Sequence, residues 1–320
     1  MTIRGSFHAI LITSALALSA CQGQAPIESS SAAYSARQQM MPGIDILQWQ
    51  AEDDTHVYIL NSARALWYGD GSSWQIVQTN VLWFGVAENS STIWIRDFSG
   101  NLYPWSLGRT VTGVAAGTIA YGTQRAKNSA NDGSVFYIGS DGYLYSSGLP
   151  GVRLDTNVQS FFPNTYNNVM VIGTDGKLWD EGTTGPAYPW TRSYVDGSAL
   201  LAQPGCFAND ALGDRGTCNS YVLGSDGKLW LESNVTGGHG STPIDTNVWQ
   251  FQGTGAQSNN GVFINHRDET LTRHNVADGN ADWVDGNVSN FQAISWDDSV
   301  VWVQGSDGNL WREQLTPNLP

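Results

Sequence analysis

Two imidazoles, His266 and His274, stand close together near the C-terminal end of the chain. Neutral imidazole is a common zinc ligand, but this pair needs a third donor. Asp278 and Asp282, in Asp-Gly-Asn-Ala-Asp, hint at calcium, yet the spaced oxygens and distal Glu of a calcium loop are missing. His239 lies in Gly-Gly-His-Gly-Ser, which reads as a surface loop rather than a seat for a catalytic base. There is no His-Glu-x-x-His, no Gly-x-Ser-x-Gly and no phosphate loop. The residues therefore predict neither an enzyme nor a metal or cofactor protein.

A second chemistry comes from aromatic residues set beside polar ones. A sugar can stack its apolar C–H face on an aromatic ring while its hydroxyls find a donor. Tyr103 with Arg96, and Trp311 with Gln304, are the candidates for such a ligand-binding site. Their pairing depends on the strands that carry them.

Those strands repeat. Tyr221-Val-Leu-Gly-Ser-Asp-Gly-Lys-Leu-Trp230 reads as a hairpin, and copies occupy 57–67, 93–103, 135–145, 169–179, 220–230, 262–272 and 301–311. Successive copies end 34 to 51 residues apart, the size of one four-stranded propeller blade. The longest interval holds Cys206 and Cys218, and the polar loop 124–132 lies in another. A second phrase, Ile244-Asp-Thr-Asn-Val-Trp-Gln-Phe251, precedes a hairpin, is matched at 154–161 and recurs in looser form at 77–84, 195–202 and 284–291. Together the phrases supply four strands per unit. Residues 42–49 resemble the end of that phrase without its beginning, and little chain follows Trp311. The expectation is an all-β, seven-bladed propeller over 44–320, with four-stranded blades and one blade shared between the N- and C-terminal strands.

Asp-Gly between alternating strands predicts a two-residue hairpin loop, because its central residues need positive φ. The repeated Asp is then turn chemistry rather than a ring of ligand carboxylates. That register sets Leu229 opposite Gly224 and Trp230 opposite Leu223, and by the same count Tyr103 opposite Arg96 and Trp311 opposite Gln304. Leu precedes the final residue of all seven copies, which predicts core packing between blades, with the facing Gly leaving room for a neighbour. Ala63-Arg64 and Asp268-Glu269 replace Asp-Gly in two copies, so looser turns are expected there.

Gly-Ser-Asp-Gly-x-Leu-Trp/Tyr units in a single-domain propeller resemble the tectonin and tachylectin-type lectins, over about residues 44–320. That resemblance implies shallow sugar sites repeated around the ring. The Tyr-Arg-Arg strand end of tectonins is absent; the ends here are Trp-Leu-Glu, Trp-Asp-Glu and Trp-Arg-Glu. The same phrase is similar to the quinone-dehydrogenase-type propeller repeat, a fold that includes a lipoprotein scaffold of the outer-membrane assembly machinery. The usual continuation of that repeat is also missing after Trp179 and Trp230. A glycan-binding module and an envelope-protein scaffold are thus the two functional expectations.

Composition bounds the partners. The formal charge of −14 argues against nucleic acid or an anionic membrane surface as a partner. Arg4, a short apolar run and Leu18-Ser19-Ala20-Cys21 look like a bacterial lipoprotein signal over 1–20, with Cys21 the lipidated residue. Gln22 rather than Asp implies, by that resemblance, the outer membrane or cell surface. The membrane is then touched only through the lipid anchor. Residues 21–43, rich in Ser, Ala and Gln, read as a flexible tether. Cys206 and Cys218 flank a Gly/Asp-rich loop, and a disulfide between them is the economical reading in an exported chain.

Overall fold

The structure is a computed structural model. It describes residues 34–86, 92–106, 109–110, 120–123, 135–146, 149, 151–165, 168–182, 191–204, 220–233, 240–253, 261–275, 279–293 and 299–315. Cys21, Cys206, Cys218, His239, Asp278 and the loop 124–132 lie outside them.

All described elements are strands. Strand β1 (Tyr34–Met40) is followed by sheet I, β2 (Ile46–Ala51), β3 (Val57–Asn61), β4 (Leu66–Gly69) and β5 (Trp74–Gln78). Sheet II comprises β6 (Val81–Val86), β7 (Thr92–Asp97), β8 (Leu102–Ser106) and β9 (Arg109–Thr110). Sheet III has β10 (Ala120–Thr123), β11 (Val135–Ile138) and β12 (Leu144–Ser146). Sheet IV follows with β13 (Val158–Thr165), β14 (Asn168–Gly173), β15 (Leu178–Gly182) and β16 (Thr191–Asp196). Sheet V contains β17 (Ala199–Pro204), β18 (Ser220–Gly224), β19 (Leu229–Ser233) and β20 (Gly240–Asp245). Sheet VI contains β21 (Val248–Gly253), β22 (Gly261–His266), β23 (Leu271–Asn275) and β24 (Asn280–Asp285). In sheet VII, β25 (Val288–Ala293), β26 (Val300–Gly305) and β27 (Leu310–Leu315) are completed by β1.

Seven four-stranded blades are therefore not matched. Six sheets have four strands, and sheet III has three among the described residues. Where its outer strand would run, there is a single bridge between Leu144 and Asp155. Beyond β12, Leu149 N–H donates to Ser146 O at 3.1 Å and Leu154 N–H donates to Leu144 O at 2.8 Å.

The shared terminal blade is present, but it reaches into the expected tether. Tyr34–Met40 pairs antiparallel with β27, from Tyr34 opposite Leu315 to Met40 opposite Leu310. Ala36, Arg37 and Gln38 are exposed. An outer edge strand held by backbone bonds needs little apolar surface, so its composition resembles that of a linker.

The hairpins are one residue longer than the two-residue reading. Gly224 N–H donates to Lys228 O at 3.0 Å, and Gly227 N–H donates to Gly224 O at 3.0 Å. The loop is thus Ser225-Asp226-Gly227, with Gly227 at φ +77. This is a type I turn closed by a residue in the left-handed region. Leu229 then pairs with Leu223 and Trp230 with Val222. Asp226 Oδ1 accepts from Lys228 N–H at 3.1 Å, and Asp175 and Asp307 repeat this contact at 3.1 and 2.9 Å, so the repeated carboxylate is turn chemistry.

The Gly two residues before Asp226 and Asp307 has a different cause from the one expected. A Cβ on Gly224 would meet Asp226 Oδ1 at 2.8 Å, and one on Gly305 would meet Asp307 Oδ1 at 2.7 Å. The glycine makes room for its own turn carboxylate, not for a neighbouring blade. Where the acceptor sits at the Gly position itself, the later Asp is absent: Asn61 Oδ1 takes Ala65 N–H and Asp97 Oδ1 takes Asn101 N–H. Nor are the two odd turns loose. Arg64 and Glu269 adopt φ +61 and +66 and close the same hydrogen bonds as glycine does.

The seven leucines Leu66, Leu102, Leu144, Leu178, Leu229, Leu271 and Leu310 are fully buried, as core packing requires. Each contributes roughly 1.5–3 kcal/mol by leaving water. The crossover turns link adjacent sheets. Asn247, at φ +60, accepts from Arg267 N–H at 3.0 Å, while Val248 N–H donates to Gly227 O at 3.2 Å.

Nearer the axis, side-chain amides take over from backbone ladders. Gln50 Oε1 accepts from Val86 N–H at 2.9 Å and its Nε2 donates to Val86 O at 2.8 Å. Gln252 makes the same two contacts with Ala293, and Gln203 accepts from Gly253 N–H at 3.1 Å. A primary amide reproduces the donor and acceptor of a peptide group, so one glutamine can extend backbone pairing across the gap between diverging inner strands.

Candidate functional site

The extra loop residue separates the two aromatic–polar pairs. Tyr103 lies opposite Ile95 and Arg96 opposite Leu102; Trp311 lies opposite Val303 and Gln304 opposite Leu310. A shift of one residue moves a side chain to the other face of the sheet. Neither pair therefore forms the facing donor-and-ring arrangement that the two-residue loop implied. Gln304 Oε1 instead accepts from Trp49 Nε1 at 3.0 Å, joining sheet VII to sheet I. Half-buried Tyr103 packs against the Tyr58, Leu60 and Phe84 cluster, and burial pushes its phenol upward, helped by the Asp97 charge.

Trp311 is half-buried, and the Arg37 guanidinium lies over its ring at 4.3 Å. Arg37 reaches Glu313 Oε1 and Asp285 Oδ2, each at 2.9 Å. The same group recurs at Trp179, where Arg192 lies 4.0 Å from the ring centre, 3.1 Å from Glu181 and 3.6 Å from Asp155. Each inter-sheet site thus holds an aromatic ring, a buried Glu two residues beyond it, an outer-strand Arg and an Asp from the preceding sheet. Burial pushes the Glu313 carboxyl up to about 8, the Asp285 charge adds to this, and Arg37 pulls it back. The Trp-x-Glu strand ends that depart from the tectonin pattern are built into this packing.

A more open feature lies where the inner strands begin. Strands β2, β6, β13, β17, β21 and β25 each carry a bulge after their first residue. The bulged residue has no ladder partner and turns outward. It is Leu47, Leu200 and Trp249 in β2, β17 and β21, at 49, 48 and 50 % exposure. Strand direction places these bulges at the end of the sheets that also carries the hairpin tips. Phe98, at a hairpin tip, is 60 % exposed. Arg64 lies 5.7 Å from the Phe98 ring centre, and Arg267 lies 6.0 Å from that of Trp249. One end of the sheets therefore offers separated apolar side chains beside guanidinium groups.

Between the inner strands lies a cavity of about 310 Å³, lined by Gln50, Gln203, Gln250, Gln252, Asn290 and Gln292 with Trp49, Phe251 and Phe291. Several of its amides are engaged in strand-to-strand bonds, so it can offer hydrogen bonds to a ligand but no charge. The glutamines escaped the sequence reading. The available signal was Gln after the recurring aromatic or Ala at the phrase end, at Gln50, Gln203, Gln252 and Gln292.

No protein-family model matches this chain, and no curated protein does. Among solved structures, the WD40 β-propeller domain of Doa1 is similar, with a TM-score of 0.56 and 12 % sequence identity. The match covers 89 % of this chain and 98 % of that one. At that identity the likeness shows the fold alone: the chain folds as an all-β propeller.

Proposed function

We propose that this chain is an interaction scaffold that binds a protein partner at the end of the propeller bearing the inner-strand bulges. It is a binding protein rather than an enzyme, exported and presented at the outer membrane or cell surface from a lipid on Cys21. The observation that carries this reading is the shared exposure of Leu47, Leu200, Trp249 and Phe98 at that end. Four large apolar side chains at one end of the sheets give a protein partner separate points to cover. Trp and Arg side by side, as at Trp249 and Arg267, are the residue types that dominate interface energetics.

A carbohydrate-binding reading has one observation in its favour. Trp249 presents a half-exposed indole beside a donor, the chemistry sought at Tyr103 and Trp311. The two readings separate in one experiment on the full chain. Leu200→Glu and Trp249→Glu should each abolish cross-linking to an envelope protein and leave the fold intact, since both side chains are exposed. Sugar binding on a glycan array that is lost with Trp249→Glu and kept with Leu200→Glu would decide for the lectin.

A further inference from the structure

Sheet VI departs from its siblings at four positions at once. In sheets IV and VII the inter-sheet site holds Trp179, Glu181 and Arg192, or Trp311, Glu313 and Arg37. In sheet VI the ring position is Thr272 and the buried Glu position is His274. The Arg position, opposite His274 on β24, is Ala281. The Gly that opens most hairpins is replaced by His266. Only the Asp of the preceding sheet remains, as Asp245.

These substitutions converge. His274 Nε2 lies 3.0 Å from Asp245 Oδ2, and His266 Nε2 lies 3.6 Å from it. The three donor atoms fall within 4.8 Å of one another. Asp245 Oδ1 is held by Thr246 N–H at 2.5 Å, which leaves Oδ2 aimed at the imidazoles. Thr272 Oγ1 lies 3.0 Å from each Nε2. Two nitrogens and one oxygen around zinc, at bond lengths of about 2.0–2.2 Å, stand roughly 3.3 Å apart in a tetrahedron. The two nitrogen-to-oxygen separations, 3.0 and 3.6 Å, bracket that spacing. The third ligand, absent from the local sequence, comes from the neighbouring sheet.

Charge points the same way. Asp155 and Asp285 each face a guanidinium, whereas among the described residues the ion-pair partners of Asp245 are imidazoles, and the Arg position is alanine. The side chains of Asp245, His266 and His274 are 20, 14 and 13 % exposed, so solvent can reach a fourth position.

We propose that Asp245, His266 and His274 form a binding site for a borderline divalent metal ion, zinc in the first place, clamping sheet VI to sheet V. The metal supplies the positive charge that arginine supplies in the sibling sites. A two-imidazole, one-carboxylate set suits zinc, nickel, copper or cobalt and disfavours magnesium and calcium, which prefer oxygen ligands.

The test is calorimetry and thermal unfolding of the full, metal-stripped chain with zinc chloride, with magnesium chloride as comparison. One equivalent of zinc should bind and raise Tm, and magnesium should do neither. His266→Ala and His274→Ala should each weaken zinc roughly 100-fold, at or beyond the loss seen for outer-sphere changes. His56→Ala, at a separate His–Asp contact, should leave binding unchanged. If His274→Ala alters the fold, cobalt spectroscopy of the native chain decides: an intense visible band requires four-coordinate, near-tetrahedral cobalt. Absence of that band, no zinc binding, or binding retained after both His substitutions would overturn the proposal.

Discussion

Gln292 and Ala51 sit at opposite ends of the described chain, yet they are joined by two hydrogen bonds. Ala51 N–H donates to Gln292 Oε1 at 2.9 Å, and Gln292 Nε2 donates to Ala51 O at 3.3 Å. Sheet VII is thereby bound to sheet I at the inner strands, independently of the β1–β27 pairing. Gln292→Ala removes both bonds and leaves two buried backbone groups without partners. Chemical denaturation should show a loss of roughly 2–4 kcal/mol. Gln292→Met, which keeps the volume, should lose nearly as much if the amide and not packing is responsible.

The hairpin glycines and their carboxylates are coupled. Gly305→Ala puts a methyl group 2.7 Å from Asp307 Oδ1, closer than the two can stand. It should destabilise the wild type and cost less in an Asp307→Ala background. A double-mutant cycle should return a coupling of about 0.5–3 kcal/mol. Zero coupling would mean that the glycine serves the backbone alone.

Glu269 holds the left-handed conformation that Gly227 and Gly308 adopt freely. Left-handed backbone costs an L-residue roughly 1–2 kcal/mol. Glu269→Gly should therefore raise Tm, and Gly227→Glu should lower it. Both changes lie at hairpin tips; Glu269 is exposed, and a Cβ on the half-buried Gly227 would meet only Arg267 Nη2 at 4.0 Å, so packing hardly contributes.

The buried Glu313 makes stability depend on pH. Its folded value of about 8 exceeds the ordinary 4.5, so between those limits the folded chain holds a proton that the unfolded chain has released. Its contribution is complete below about 4.5 and is lost as pH rises through about 8. Glu313→Gln should flatten the stability curve over that window. The hairpin carboxylates act in the opposite sense. Hydrogen bonds from the backbone of Lys177, Lys228 and Asn309 hold Asp175, Asp226 and Asp307 below their ordinary value. What they contribute is present above that value and is lost as pH falls through the folded one. Unfolding followed from pH 3 to 9, a span of about six units, should separate the two effects.

The repeat made the fold readable, because seven buried leucines at one position leave few alternatives to equivalent sheets. Register was not readable to the residue. Asp-Gly fits a two-residue loop and the last two residues of a three-residue loop, and only the bond from Gly224 to Lys228 separates them. That single residue moved Arg96 and Gln304 away from the rings of Tyr103 and Trp311. Strand β1 was missed because an outer edge strand and a tether draw on the same polar residues. Asp245 could not be assigned to the two histidines from spacing, because the contact crosses between sheets. The glutamine bonds were hidden for the same reason: they are visible only once the inner strands stand side by side.

The pairing of β1 with β27 has a consequence for biosynthesis. Tyr34–Met40 is the first of these strands to be synthesised, and its partner, Leu310–Leu315, is the last. Throughout translation, β1 waits unpaired with a free row of amides and carbonyls. Its sequence, Tyr-Ser-Ala-Arg-Gln-Gln-Met, suits that wait. It lacks the apolar, β-branched run that would recruit a foreign strand. The polarity that makes it look like a linker also keeps the growing chain from closing on the wrong neighbour.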